Sequence, residues 1–72
     1  MKHSSIKSYR TCVTLGGREY TIGVEILPGV ANVPAEIVKF RADDENGNPV
    51  HLSSSDRKAV EAVVLEEWRN GR

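Results

Sequence analysis

Apolar and polar residues alternate on both sides of Gly16-Gly17, and this pattern predicts a β-hairpin from Tyr9 to Ile26. Two consecutive glycines suit a two-residue turn, because such turns need a positive φ that glycine adopts freely. Such a loop pairs Leu15 with Arg18, and the pairing continues outward along both strands. One face of the hairpin then carries Tyr9, Thr11, Val13, Leu15, Tyr20, Ile22, Val24 and Ile26. The turn and the alternation are separate signals, and they agree on the residues that face the core.

The residues after the hairpin predict two more strands. In the segment 36–43 the even positions Val38, Phe40 and Ala42 favour the core, because the odd positions carry two charges. The next turn signal is Asn46-Gly47. A three-residue loop, 45–47, places Val50 opposite Ala42 and keeps a short fourth strand, 49–52, in phase with the core.

A helix is predicted at the end of the chain. Ser53-x-x-Asp56 resembles a capping box, and Gly71 suits a stop after about Asn70. One apolar arc of this helix contains Ala59, Val60, Val63, Val64 and Trp68. The predicted fold is therefore α+β: an antiparallel four-stranded sheet, its last strand short, with one C-terminal helix on one face. The expected core is Val13, Tyr20, Ile22, Val24, Phe40, Val60 and Val63.

The length of 72 residues predicts one small domain. We expect residues 1–8 to be a flexible N-terminal leader and residues 9–72 to form the domain. The loop 30–35 is expected to tuck its valines against the core edge. The N-terminus has no apolar run typical of a signal or a membrane span, and Cys12 is the single cysteine. Both observations favour a cytoplasmic protein.

The charge balance and the missing motifs narrow the function. Ten basic and ten acidic residues give a formal net charge of zero, whereas small nucleic-acid-binding domains are usually basic. The acidic string 43–47 does not fit a calcium loop, and no phosphate-loop motif is present. One cysteine and two histidines cannot supply a tetrahedral zinc site by themselves. We therefore expect no cofactor and no metal.

Two arrangements bear on catalysis. Cys12 and His51 fall on the non-core face and would be a nucleophile and its base if they met. The alternative, two unrelated surface residues, is favoured because nothing orients the histidine. Ser53 to Ser55 lie near His51, but a helix cap explains Ser53 without chemistry. An enzyme is the least favoured interpretation.

The non-core face also holds a set of basic side chains that are candidates for partner binding: Arg10, Lys39, Arg41 and His51. Cys12, Thr21 and Ile37 are expected among them, with Glu19, Glu25 and Asp43 on or beside this face. The leading interpretation is a non-enzymatic protein-binding domain, with a homodimer as one form. The alternative is a nucleic-acid-binding accessory protein, although the aromatic rings that would stack on bases point inward. A plain solvated face of mixed charge also stays open.

Two strings carry a resemblance to a known group of proteins. They are LeuGlyGlyArgGluTyrThrIleGlyValGlu, residues 15–25, and GluAsnGlyAsnProValHisLeuSer, residues 45–53, followed by the terminal helix. Together they resemble small uncharacterised proteins encoded in bacteriophage and prophage genomes. The resemblance implies a bacterial intracellular setting and no particular activity.

Overall fold

The chain forms four strands followed by one helix. The computed structural model describes residues 5–29 and 32–71. The elements are β1 (Lys7–Leu15), β2 (Arg18–Leu27), β3 (Glu36–Asp43), β4 (Pro49–Val50) and α1 (Ser54–Asn70). The strands form one antiparallel sheet in the order β1-β2-β3-β4, and α1 packs on one face of it. The predicted α+β fold is confirmed.

The hairpin has the register that the sequence predicts. Leu15 pairs with Arg18, and Tyr9 pairs with Val24. Gly16 and Gly17 have φ values of 58° and 81°, so both use the left-handed region that glycine permits. β1 begins at Lys7, so positions 7 and 8 of the segment predicted as a leader belong to the sheet. Residues 1–4 of that leader lie outside the described residues.

The turn between β3 and β4 is the predicted three-residue loop. Ala42 pairs with Val50, and Gly47 has a φ of 85°. The Asp44 carboxylate accepts hydrogen bonds from the backbone N–H groups of Asn46 and Asn48, each at 2.9 Å. The acidic string is therefore a turn closed by its own side chain. β4 ends at Val50, earlier than predicted, although Leu52 still packs against the core.

A β-bulge in β3 corrects one part of the predicted faces. Lys39 pairs with Glu25, but the next pair joins Ile37 to Ile26, so Val38 is an extra residue. Ile37 consequently packs against the core, and Val38 is 43% exposed. The prediction had these two residues reversed, because it assumed unbroken alternation along the strand.

The core lies between the middle of the sheet and α1. Its buried residues are Ile22, Val24, Ile26, Ala42, Val60 and Val64. Val13, Tyr20 and Phe40 pack against this core but are only half-buried, so the prediction that they are largely buried is wrong. Val13 and Tyr20 are less covered because the hairpin extends beyond β3, which pairs with β2 only from Thr21 onward. Phe40 lies on the part of β3 that two-residue β4 does not cover.

The helix begins and ends as predicted but is rotated relative to the predicted arc. Ser53 is the N-cap, and its hydroxyl accepts a hydrogen bond from the Asp56 N–H at 3.2 Å. The Gly71 N–H donates to the Glu67 carbonyl at 2.9 Å. Val60 and Val64 form the buried stripe, whereas Val63 is 47% exposed. Val63 was expected in the core and lies instead at the flank of the contact.

One acidic side chain joins the helix to the first strand. The Glu67 carboxylate accepts hydrogen bonds from the Tyr9 hydroxyl at 3.2 Å and from the Thr11 hydroxyl at 2.8 Å. Partial burial of the Tyr9 ring and the neighbouring Glu67 charge raise the pKa of Tyr9 above its usual 10.0. The neutral phenol is thus kept as a donor to the carboxylate.

The connection between β2 and β3 differs from the prediction. Val33 is 58% exposed and does not tuck against the core, while Val30 lies outside the described residues. At Gly29 an added Cβ would meet the Val33 carbonyl oxygen and, at 2.7 Å, the Ala35 nitrogen, so only glycine fits this close approach. Within the part of the chain described, no helix has the length and apolar character needed to cross a bilayer.

Candidate protein-interaction face

No strand or helix of the described residues packs on the face of the sheet opposite α1, and we call this face the open face. Its residues form three rows that run across β1, β2 and β3. The rows are Ser8–Glu25–Lys39, Arg10–Gly23–Arg41 and Cys12–Thr21–Asp43. Directly opposed residues in a sheet share a face, so the ladder itself brings Arg10, Arg41 and Lys39 together.

The middle row has the most distinctive geometry. Gly23 sits between Arg10 and Arg41, whose backbones are two strand spacings apart, or about 10 Å. No atom lies within 4 Å of a Cβ built on Gly23, so its missing side chain leaves open space. A shallow depression of about 710 Å³ lies over this point, and its lining includes Arg10, Arg41 and Lys39. Two guanidinium groups therefore stand at either side of a gap in the sheet surface.

The charges on the open face are not all available to a partner. The Arg41 Nε donates to the Asp43 Oδ1 at 3.0 Å, and the Arg41 side chain is 67% exposed. Among the described residues, Arg10 and Lys39 take part in no ion pair. Glu25 lines the same depression beside Lys39. Within the described chain the charges of Arg10 and Lys39 are therefore both outside ion pairs, while Arg41 is shared between Asp43 and solvent.

Two residues predicted on this face are placed elsewhere. His51 follows the end of β4 and is exposed, and with Arg41 it lines a second depression of about 360 Å³. It is separated from Arg10 by the width of the sheet. Ile37 turns to the core because of the bulge. The structure thus brings together three of the four predicted binding residues, Arg10, Lys39 and Arg41, with His51 at the margin.

The catalytic alternatives are not assembled. Cys12 lies on β1 and His51 follows β4, so three strand spacings, about 14 Å, separate their backbones. This distance rules out a hydrogen-bonded nucleophile and base. Ser53 serves as the helix cap. Across residues 5–29 and 32–71, no group of three or more His, Cys, Asp or Glu side chains is arranged to hold a metal ion.

Sequence reasoning missed two features of this face. Gly23 was placed on it but not recognised as its centre, although a lone glycine within a strand is a known signal for a close approach to the backbone. The salt bridge between Asp43 and Arg41 was also missed. The two lie two residues apart on one strand and so share a face, which is a readable signal.

Searches against family models, curated proteins and solved structures found no match to this chain. The resemblance to phage-encoded proteins accordingly stays a prediction.

Proposed function

We propose that this chain is a small non-enzymatic protein-binding domain whose open face takes an acidic segment of a partner protein. The observation that carries the proposal is the middle row, in which Arg10 and Arg41 flank Gly23 on an uncovered part of the sheet. Because glycine leaves room, a partner's backbone can approach the sheet between the two guanidinium groups. A planar guanidinium binds a carboxylate through two parallel hydrogen bonds, which suits an aspartate or glutamate side chain.

The charges beside the middle row specify how an acidic segment would lie. Arg10 has no carboxylate partner in the described chain, so it is the first anchor. At Arg41 an incoming carboxylate competes with Asp43. Glu25 repels acidic groups at the other end of the depression, so a segment with one or two acidic residues fits better than a long acidic run.

A protein partner is favoured over a nucleic acid by what the open face lacks. Proteins that bind single strands combine positive charge with aromatic rings that stack on bases. Tyr9 and Phe40 belong to the opposite face, as does Tyr20. Carboxylates at Glu25 and Asp43 would also repel a phosphate backbone. The formal net charge of the whole chain is zero, which gives no long-range attraction to nucleic acid.

A binding experiment with defined probes tests this proposal. The probes are short fluorescent peptides with one or two glutamates on a neutral background, and a single-stranded oligonucleotide. Anisotropy is measured with the wild type, with the double variant Arg10→Glu/Arg41→Glu, and with the control double variant Lys58→Glu/Arg69→Glu. The control makes the same change of charge on the exposed side of α1. We expect peptide binding in the wild type and the control, and a loss of about tenfold or more in the face variant.

A third variant sharpens the result. Asp43→Asn removes the competitor for Arg41, so it should strengthen peptide binding if Arg41 contacts the carboxylate. Failure of every acidic peptide to bind, or equal losses in the face variant and the control, would overturn the proposal. Binding of the oligonucleotide alone, falling steeply with salt, would establish the nucleic-acid alternative in its place.

A further inference from the structure

The two edges of the sheet are protected very differently. The edge on the β4 side consists of two-residue β4, which begins with Pro49 and so cannot donate a ladder hydrogen bond there, and of residues 36–41 of β3, which β4 does not cover and which contain the bulge at Val38. The β1 edge, meaning the free side of Lys7–Leu15, has nine residues and contains neither a proline nor a bulge. A long regular edge of this kind is a template for pairing with another strand.

The ladder tells which backbone groups of β1 point outward. The two-residue turn closes on a hydrogen-bonded pair, Leu15 with Arg18, and hydrogen-bonded and non-hydrogen-bonded pairs then alternate along the hairpin. The residues whose N–H and C=O groups are directed away from β2 are therefore Ser8, Arg10, Cys12 and Thr14. These four positions are symmetric about Thr11, which is also the middle of β1.

We infer that two copies of this chain associate through their β1 edges, antiparallel, about a two-fold axis at Thr11. In this register Arg10 of each copy exchanges backbone hydrogen bonds with Cys12 of the other, and Ser8 does so with Thr14. The two charges of β1 lie in its N-terminal half, so Lys7 is opposite Leu15 and Arg10 is opposite Cys12. No like charges are directly opposite each other, and the two Arg10 side chains are diagonal neighbours. Every outward backbone group of the edge finds a partner, and the product is a continuous eight-stranded sheet.

The apolar surface on the helix side of the β1 edge favours a second copy of this chain as the partner that pairs with the edge. Val63 is 47% exposed and lines two grooves, one shared with Val13 and Leu15 and one shared with Tyr9. Because Tyr9 and Val13 flank Thr11, Val63 stands beside the inferred axis. The two-fold operation brings the Val63 side chains of both copies toward each other, which gives the exposed valine an apolar contact. This inference does not depend on the proposed use of the open face.

Sedimentation velocity of the full chain over a range of concentrations tests the inference. The wild type should sediment as a species of twice the 8.0 kDa chain mass. Cys12→Pro removes an outward N–H that the monomer does not use, and Val63→Lys places a charge at the axis. Each should weaken dimerisation by about tenfold or more, and circular dichroism should show a folded domain. Cys12→Ser keeps the N–H and is the matched control, which should remain dimeric.

Three outcomes of these measurements would contradict the inference. A wild type that stays monomeric at its solubility limit would contradict the inference, as would a folded Val63→Lys variant with undiminished dimerisation. Assemblies larger than a dimer would also contradict it, because pairing about a two-fold axis uses up the edge. Should Cys12→Pro fail to fold, Val63→Lys alone decides, since an exposed helix position tolerates lysine. Peptide binding by the open face can succeed or fail in any of these cases.

Discussion

The two faces of the sheet are built from the same strands, yet one of them is buried under α1 and the other is exposed. On β2 the inner face presents Ile22, Val24 and Ile26, each at most 3% exposed, and α1 closes over them. The alternate residues Thr21, Gly23 and Glu25 face the other way, where no strand or helix of the described chain packs. A chain of 72 residues can bury only one core, so one face stabilises the fold while the other stays exposed.

The largest expected effect is on the inner face. Ile22→Ala removes a fully buried side chain from the centre of the core and should cost about 2–5 kcal/mol, enough to unfold most of so small a domain. Thr21→Ala, one residue away on the open face, should cost less than about 1 kcal/mol. Urea unfolding followed by circular dichroism measures both. Equal losses in the free energy of unfolding would show that the two faces contribute equally to stability.

A smaller loss of stability is expected from removing the polar contacts that join α1 to β1. Glu67→Ala removes both hydrogen bonds between α1 and β1 and should destabilise the fold by about 1–2 kcal/mol. Glu66→Ala changes an exposed neighbour on the same helix and serves as the control. Thermal melts of the two variants should separate clearly. If both melt alike, the carboxylate does not hold the helix on the sheet.

The helix cap should have a comparable or slightly smaller effect. Ser53→Ala leaves the Asp56 N–H without its side-chain acceptor, and we expect a loss of about 0.5–2 kcal/mol. Ser55 lies inside α1 and is exposed, so Ser55→Ala should change little. Chemical denaturation of the pair tests the assignment. A larger loss of stability in Ser55→Ala than in Ser53→Ala would contradict the assignment of Ser53 as the N-cap.

The smallest effect, and one of opposite sign, is expected on the open face. Gly23→Ala adds a methyl group where no atom lies within 4 Å, and it should stabilise the strand by up to about 1 kcal/mol. The same change at Gly29 drives a Cβ into backbone atoms and should destabilise. Melting temperatures that fall in both variants would mean that the open face is more crowded than its geometry indicates.

The elements were predictable because their local signals agreed. Gly16-Gly17 set the hairpin register, Gly47 set the second turn, and Ser53 set the start of the helix. The errors arose where neighbouring residues were equally apolar, so that only tertiary packing determined which of them faced the core. Ile37 and Val38 are both apolar, so nothing in the sequence indicated which one the bulge would turn inward.

The helix gives a second example. The valines 60, 63 and 64 are chemically alike, and only docking on the sheet determines that 60 and 64 lie at its centre. Glu67 was overlooked although its place on the apolar side of the helix was visible in the periodicity. Of the candidate site, the cationic residues were predictable from alternation along the strands. The central gap at Gly23 and the pairing of Arg41 with Asp43 required the assembled sheet.

The strand order has a consequence for how the protein folds. Neighbours in the sheet are neighbours in the sequence, so all three strand pairs close over short stretches of chain, two over tight turns and one over residues 28–35, with little loss of chain entropy. The contact between Tyr9 and Glu67 instead joins residues 58 positions apart. We therefore expect the strands to pair before the rate-limiting barrier and the helix to dock after it. In stopped-flow measurements, Glu67→Ala should then speed unfolding and leave the refolding rate nearly unchanged.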